Sequence, residues 1–305
     1  RLTRANRLLF RLAREKTRQL EWKFVWTRDG TILVRREHRE PAKRIRSEND
    51  FEKIIYSFVI QFIKDKYLSL GLLNPGSLGN KHDEFVVAMM RHPVEIMAIN
   101  ETWLREGGEA RAPVLPGYRL RHAPRDSAGS GGGRDRGGGV GFYLKRGVNA
   151  RLIAHPQAPI DQMWLSLTLN GLKLAIGTAY RPPWQNVDTF LDALTESVTS
   201  LHAFDYIVLT GDFNIDLLEL NAPKTKKLLD FLKCAGLDQY VTVPTHFTDH
   251  SETLIDLLCS NIKITDIDVD HIPDLSRHSL ISCKLRIKKD KPVPKWIVYR
   301  PMLSG

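Results

Sequence analysis

At 305 residues, 42% of them hydrophobic, the chain holds enough apolar material for one large core, or one core and a small appended unit, which excludes a disordered protein. The net charge of +10 is unevenly placed: residues 1 to 50 hold 15 Lys and Arg against 7 Asp and Glu, a local net of +8 that leaves +2 for the remainder. Three dispersed cysteines, Cys234, Cys259 and Cys283, exclude a disulfide framework and a clustered zinc site, and favour a reducing intracellular compartment.

The longest nearly uncharged apolar run, IIYSFVIQFI at 54 to 63, is about half of the ~20 residues that a membrane span requires, so no membrane partner is expected. The chain begins at Arg1, which reads as a fragment of a longer protein.

In chain order, RLTRANRLLFRLAREKTRQL at 1 to 20 spaces Leu8, Leu9, Leu12 and Leu20 for an amphipathic helix or the end of a coiled coil. KFVWTRDGTILVRR at 23 to 36 reads as a hairpin around Asp29-Gly30. SENDFEKIIYSFVIQF at 47 to 62 opens with a capping signal and continues as a helix. These elements predict a small basic α+β unit over residues 1 to 66. Its charge would draw it to nucleic-acid phosphates, although a solvated helix face explains the same count equally well.

From residue 67 the pattern changes. Strands are predicted at 67–73, 94–100, 139–145, 163–169, 172–180, 205–211, 254–260 and 279–285, with helices near 79–91, 187–202 and 224–235. The predicted class is α/β (α+β): two mixed sheets packed face to face and flanked by helices, over residues 67 to 290, followed by a tail at 291 to 305. APRDSAGSGGGRDRGGG at 123 to 139 is a glycine-rich loop without core-forming residues.

Polar residues gather where these strands end. Asn74 follows LGLL, Glu101 follows IMAIN, Tyr180 follows LAIGTA, Asp212 and Asn214 follow IVLTG, Asp256 lies in ETLIDLLCS, and His278 precedes SLISCKL. Each alone is most often a turn or a cap. Together they are the inventory of a phosphodiesterase. Glu101 offers a hard oxygen to magnesium, with manganese a possible substitute. Asp212 can orient or deprotonate water, Asn74 and Asn214 can hold phosphate oxygens or that water, and Tyr180 can offer its hydroxyl to the phosphate. His278 can stabilise charge on phosphorus if Asp256 fixes its tautomer.

The order LLNPGSLGNKHDEF, AINETWL, GGGVGFYL, GTAYRPP, LTGDFNID, ETLIDLL, SRH resembles the endonuclease/exonuclease/phosphatase family, more narrowly the apurinic-type endonuclease domain of non-LTR retrotransposons. The resemblance spans about residues 69 to 287. It implies a four-layered α/β sandwich, magnesium dependence, and nicking of DNA to expose a 3′-hydroxyl for target-primed reverse transcription. It also implies catalytic or metal-binding roles for Asn74, Glu101, Tyr180, Asp212, Asn214, Asp256 and His278. Nuclear residence follows from the DNA substrate.

Separately, KFVWTRDGTILVRREHREPAKRIRSENDFEKI resembles the C-terminal domain of baculovirus FP-like proteins, implying a module that associates with nucleic acid, RNA included, or with itself.

One position departs from the endonuclease pattern. Where the family has Ser-Asp-His, this chain has Ser276-Arg277-His278. Two unit charges ~4 Å apart interact by about 4 kcal/mol at an effective dielectric near 20, so a sign inversion inside the site is expected to weaken or silence it. In that case a catalytically inactive nucleic-acid-binding relic is the alternative function. An Arg277 that turns outward, or that grips the scissile phosphate, would avoid the loss.

Overall fold

The computed structural model describes residues 3–19, 22–35, 41–47, 49–50, 52–54, 67–125, 137–156 and 160–287. Most of the predicted helix at 47–62, most of the glycine-rich loop and the whole 291–305 tail lie outside the described residues. The chain divides into two compact units, Arg1–Asp65 and Lys66–Gly305. Among the described residues, no helix is long and apolar enough to cross a membrane.

In the first unit the helix Arg4–Gln19 lies on an antiparallel sheet of Phe24–Arg28, Thr31–Arg35 and Lys43–Ile45. The hairpin turns at Asp29 and Gly30, both with positive φ (49° and 74°), the backbone that a two-residue turn needs to match strand twist. Ala13 and Trp22 pack with Ile32, Val34 and Ile45, and Leu9, Phe10 and Val25 close the edge of this core. Leu8, counted in the leucine stripe, is exposed instead. The helix turns Phe10, Ala13 and Thr17 inward, a spacing of three and four residues along one face. Ser47 Oγ accepts the Asp50 N–H at 3.1 Å, so the capping signal there is used.

The second unit holds two six-stranded mixed sheets. The first runs, edge to edge, Ile264–Asp270, Leu280–Arg286, Tyr67–Leu73, Ile96–Asn100, Val140–Lys145, Tyr118–Ala123. The second runs Asp238–Gln239, Asp256–Ser260, Tyr206–Asp212, Leu172–Tyr180, Asp161–Leu169, Arg151–Leu152. Their inner faces share one core: Leu70, Leu72, Ile96, Ala98 and Phe142 from the first meet Trp164, Leu174 and Ile176 from the second. Side chains alternate along each strand, so Met97 and Ile99 point outward, where they pack with Phe85, Ala88 and Met89 of the helix His82–Arg91. The helices Val187–Ser200 and Pro223–Ala235 bury Phe190, Leu194, Leu228 and Leu232 in the larger core. This is the four-layered sandwich that the sequence predicts.

Each sheet contains one parallel pair, Tyr67–Leu73 with Ile96–Asn100 and Leu172–Tyr180 with Tyr206–Asp212. A parallel pair needs a crossover, here the helices His82–Arg91 and Val187–Ser200. Both faces of these strands are covered, which is why IMAIN and IVLTG read as continuous buried runs. Parallel strands also end on the same side, so Asn74, Glu101, Tyr180 and Asp212 emerge at carboxyl ends, where open α/β sheets bind ligands.

Gly211 holds the second parallel pair at close range. Its φ is +149°, and a Cβ built there would lie 1.9 Å from the Ala179 carbonyl oxygen. Gly211→Ala is expected to destabilise the domain by about 2–6 kcal/mol, combining backbone strain with overpacking, as read from thermal or urea unfolding. An unchanged midpoint would mean that the strands can move apart at this register.

Candidate active site

The GDFN turn places Asp212 as the last residue of its strand, 1% exposed. Its backbone N–H donates to Asn100 Oδ1 at 2.8 Å, and Asn100 in turn donates to Thr178 Oγ1 at 3.0 Å, so a residue of the first sheet pins the second. The Asn214 N–H donates to Asp212 Oδ1 at 3.0 Å, and Asn74 Nδ2 donates to Asp212 Oδ2 at 2.9 Å. The same Asn74 nitrogen donates to Glu101 Oε1 at 2.9 Å. One buried amide therefore fixes the spacing of two carboxylates from different sheets. Both Nδ2 hydrogens of Asn74 are thus engaged by the carboxylates, and its Oδ1 accepts from the Gly76 N–H.

Glu101 is half-buried, and its other oxygen accepts from Trp103 Nε1 at 3.0 Å. Glu101, Trp103 and Asn214 adopt left-handed backbone, with φ of 52°, 53° and 48°. Non-glycine residues held there cost of order 1–3 kcal/mol each and are found where side chains must be aimed. Tyr180 stands across from Asp212 in the parallel register. Burial first, then the Glu101 and Asp212 carboxylates, pushes the phenol far above its ordinary range, so it remains a donor at neutral pH.

On the opposite side stands a second pair. His278 Nδ1 lies 2.9 Å from Asp256 Oδ2, while His278 Nε2 faces Asp212 Oδ2 at 3.9 Å. Burial pushes the imidazole down, but the adjacent Asp256 charge and hydrogen bond, then Asp212 and Glu101, outweigh it and raise its pKa to about 9. Burial and the neighbouring Asp256 charge push Asp212 up to about 7, against the opposing pull of His278 and Asn74. The raised His278 pKa favours an imidazolium between the Asp256 and Asp212 side chains, with Nε2 facing Asp212. Asp256 and Asp212 are opposite one another in the antiparallel register, so the strand pairing itself sets this triad.

Several further residues hold the site in place. Arg181 is buried and donates to the carbonyls of Phe213 (2.7 Å), Asn214 (2.6 Å), Pro182, Pro183 and Gln185, tying down the turn after Asp212. Asn214 Nδ2 answers by donating to the Arg181 carbonyl at 2.9 Å, so this amide closes the loop. Thr245 Oγ1 accepts the N–H groups of Ile255 and Asp256, and its carbonyl accepts that of Ser279, clipping the Asp256 strand to the His278 segment. Ser276 Oγ donates to the Asn74 carbonyl and accepts the His278 N–H. Asp161 Oδ2 accepts from Arg125 and from the Gly139 N–H, setting the guanidinium over the rings of Tyr180 and Trp184 at 5.5 and 5.8 Å.

Six of the seven predicted site residues thus come together around Asp212, and Asn214 joins them through its backbone. Arg277 does not enter. Its side chain is exposed between the buried Ser276 and Ser279, and its carbonyl accepts the Phe247 N–H at 2.9 Å. The expected charge inversion inside the site gives way to an outward-facing arginine, felt at His246, where burial first, then the His278 and Arg277 charges, lower the ring's pKa against Asp256 and Glu101.

Ligand atoms of Glu101, Asp212 and His278 lie within 4.8 Å of one another. Two carboxylates at a spacing fixed by Asn74 fit a hard divalent cation, which binds one or two protein carboxylates and completes its shell from substrate and water.

Residues 174–282 match the family model described as endonuclease-reverse transcriptase, and residues 3–55 match that of baculovirus FP protein domain 2. No curated protein sequence matches the chain. Among solved structures, the endonuclease domain of TRAS1, a telomere-specific non-LTR retrotransposon, superposes with a TM-score of 0.56 at 14% identity, over 73% of this chain and 100% of that one. An AP endonuclease from Archaeoglobus fulgidus gives 0.53 at 13% identity, over 72% and 100%. The 3′-5′ exonuclease NExo from Neisseria meningitidis gives 0.52 at 17%, again over 72% and 100%. The unit that begins at Lys66 therefore has the endonuclease/exonuclease/phosphatase fold, and the second half of that unit carries the endonuclease-reverse transcriptase sequence pattern.

Proposed function

We propose that this chain is a magnesium-dependent DNA endonuclease of retrotransposon origin, which hydrolyses one phosphodiester to leave a 3′-hydroxyl and a 5′-phosphate. The observation that carries the reading is the single Asn74 amide that binds both Glu101 and Asp212, with the Asp256–His278 pair directed at Asp212 from the other side. A structural role alone gives no reason to bury Asp212 and Asp256 beside His278, with the half-buried Glu101 next to them, because burying ionisable groups is costly.

Glu101, with Asp212 beside it, would hold the cation, Mg2+ or Mn2+, which supplies positive charge against the phosphodiester and its departing oxygen. Asp212 orients a water and takes its proton as the oxygen bonds to phosphorus. His278, as an imidazolium oriented by Asp256, and the Tyr180 hydroxyl donate to phosphate oxygens as negative charge grows there. The phosphorus–O3′ bond breaks, and the leaving oxygen takes up a proton to become the 3′-hydroxyl. Asn74, Asn214 and Arg181 hold Asp212 and its turn in place. A DNA substrate would place the working protein in the nucleus.

The reading is tested by nicking of supercoiled plasmid in Mg2+, which chelation by EDTA should abolish. Because Arg277 is exposed, Arg277→Asp should change the rate by less than about tenfold, the scale of a screened surface charge. A gain of several orders of magnitude in that variant would mean that Arg277 silences the site.

A further inference from the structure

Among the described residues, the core of the first unit occupies one face of its sheet, and a second face carries a different set of side chains. Along Phe24–Arg28 the residue that points to the core is Val25, so Phe24 and Trp26 lie on the opposite face. The antiparallel register sets Arg35 across from Phe24 and Leu33 across from Trp26, and places Arg44 across from Leu33. Two rings and two guanidinium side chains therefore share one face of a three-stranded sheet, with the helix on the other.

Three features of this face point to a ligand. Arg35 lies over both rings, its guanidinium carbon 4.7 Å from the Phe24 centroid and 5.5 Å from that of Trp26. Its Nε is buried yet has no hydrogen-bond partner among the described residues, a cost that an anionic acceptor would remove. Finally, Lys23, Phe24, Val25, Trp26 and Arg35 line an open groove of about 280 Å³. Phe24, Trp26 and Leu33 are half-buried, while Arg28 and Arg44 are exposed.

We propose that this face is a binding platform for single-stranded nucleic acid. Rings with planar cations offer stacking to bases and paired hydrogen bonds to phosphates. The segment's local charge of +8 complements a polyanion. A duplex keeps its base faces stacked inside and cannot use Phe24 or Trp26, whereas an unpaired strand can. Nothing in the arrangement selects the sugar, so RNA and DNA strands bind alike.

The test is fluorescence anisotropy of the full chain in EDTA, where no cleavage occurs, with labelled oligouridylate, oligothymidylate and a duplex of equal length. Both single strands should bind more tightly than the duplex. Trp26→Ala should weaken them about 5–150-fold, the range for losing one stacked base. Trp26→Phe should restore most of the affinity, and Arg35→Lys, which keeps the charge and loses the plane, should weaken binding several-fold. Arg7→Ala with Arg11→Ala, two exposed helix cations, should lower the salt dependence while keeping the preference for single strands. Plasmid nicking by Trp26→Ala should equal that of the parent, which separates this site from the nuclease reading. If Trp26→Ala and Trp26→Phe bind as the parent does, or the duplex binds as tightly as the single strands, the platform is overturned and the attraction is charge alone. Self-association that depends on Trp26, without oligonucleotide binding, would also overturn it and assign the face to a second copy.

Discussion

Asp212→Asn is expected to lower plasmid nicking by about 10²–10⁴-fold, the usual contribution of a positioned general base. The substitution keeps the volume of a side chain that is 1% exposed, so the fold should survive and the loss should lie in turnover. An amide cannot take a proton from water at neutral pH, and its NH₂ would face the Asn74 Nδ2 donor, which now lies 2.9 Å from Asp212 Oδ2. The parent's pH dependence follows from the same carboxyl. It must be ionised to act, and burial with Asp256 raises its pKa to about 7, so nicking should rise with pH toward that value. A cation bound beside it moves this limb to lower pH. Nicking that persists in Asp212→Asn would remove Asp212 from the mechanism.

The second large effect is at His278. His278→Ala should reduce nicking by about 10²–10⁴-fold through loss of the donor at the phosphate. In the parent, activity should fall as pH rises through about 9, where the imidazolium deprotonates, and the variant should lack this limb. Stability carries the same signature with a definite sign. The folded pKa lies above the ordinary 6.5, so the ion pair with Asp256 stabilises the fold fully below about 6.5, and this contribution is lost as pH rises through about 9. At its largest it is on the order of 3 kcal/mol. The difference in melting temperature between parent and His278→Ala should therefore shrink across that window. A constant difference from pH 6 to 10 would mean that the histidine is buried neutral.

The sequence made the sandwich legible wherever strands are buried on both faces. LKLAIGTAY corresponds end to end with the strand Leu172–Tyr180, because a continuous apolar run bounded by loops has few other uses. Edge strands escaped detection. Tyr118–Ala123 and Ile264–Asp270 have one wet side, and YRLRHA and ITDIDVD interleave charges with apolar residues so that neither stands out as a run. The predicted site residues were visible because each stands at or beside a strand end, in a recognisable order. Asn100, Arg181 and Thr245 were not: the first two stand inside AINETWL and GTAYRPP, but all three act on backbone groups far away in sequence or on other sheets, which a motif does not show. Arg277 shows the converse limit. A motif departure names the position, but which way the side chain turns is decided by the burial of Ser276 and Ser279 around it.

In the proposed mechanism Glu101, Asp212 and the Asp256–His278 pair form one hydrolytic site. Its most direct test is end-group analysis of supercoiled plasmid incubated with the purified chain and Mg2+, with the parent and Asp212→Asn side by side. The parent should give open-circular product whose nicks polymerase can extend without prior phosphatase treatment, showing a free 3′-hydroxyl, with none from the variant or in EDTA. Intact plasmid from the parent, or nicks ending in a 3′-phosphate, would contradict it.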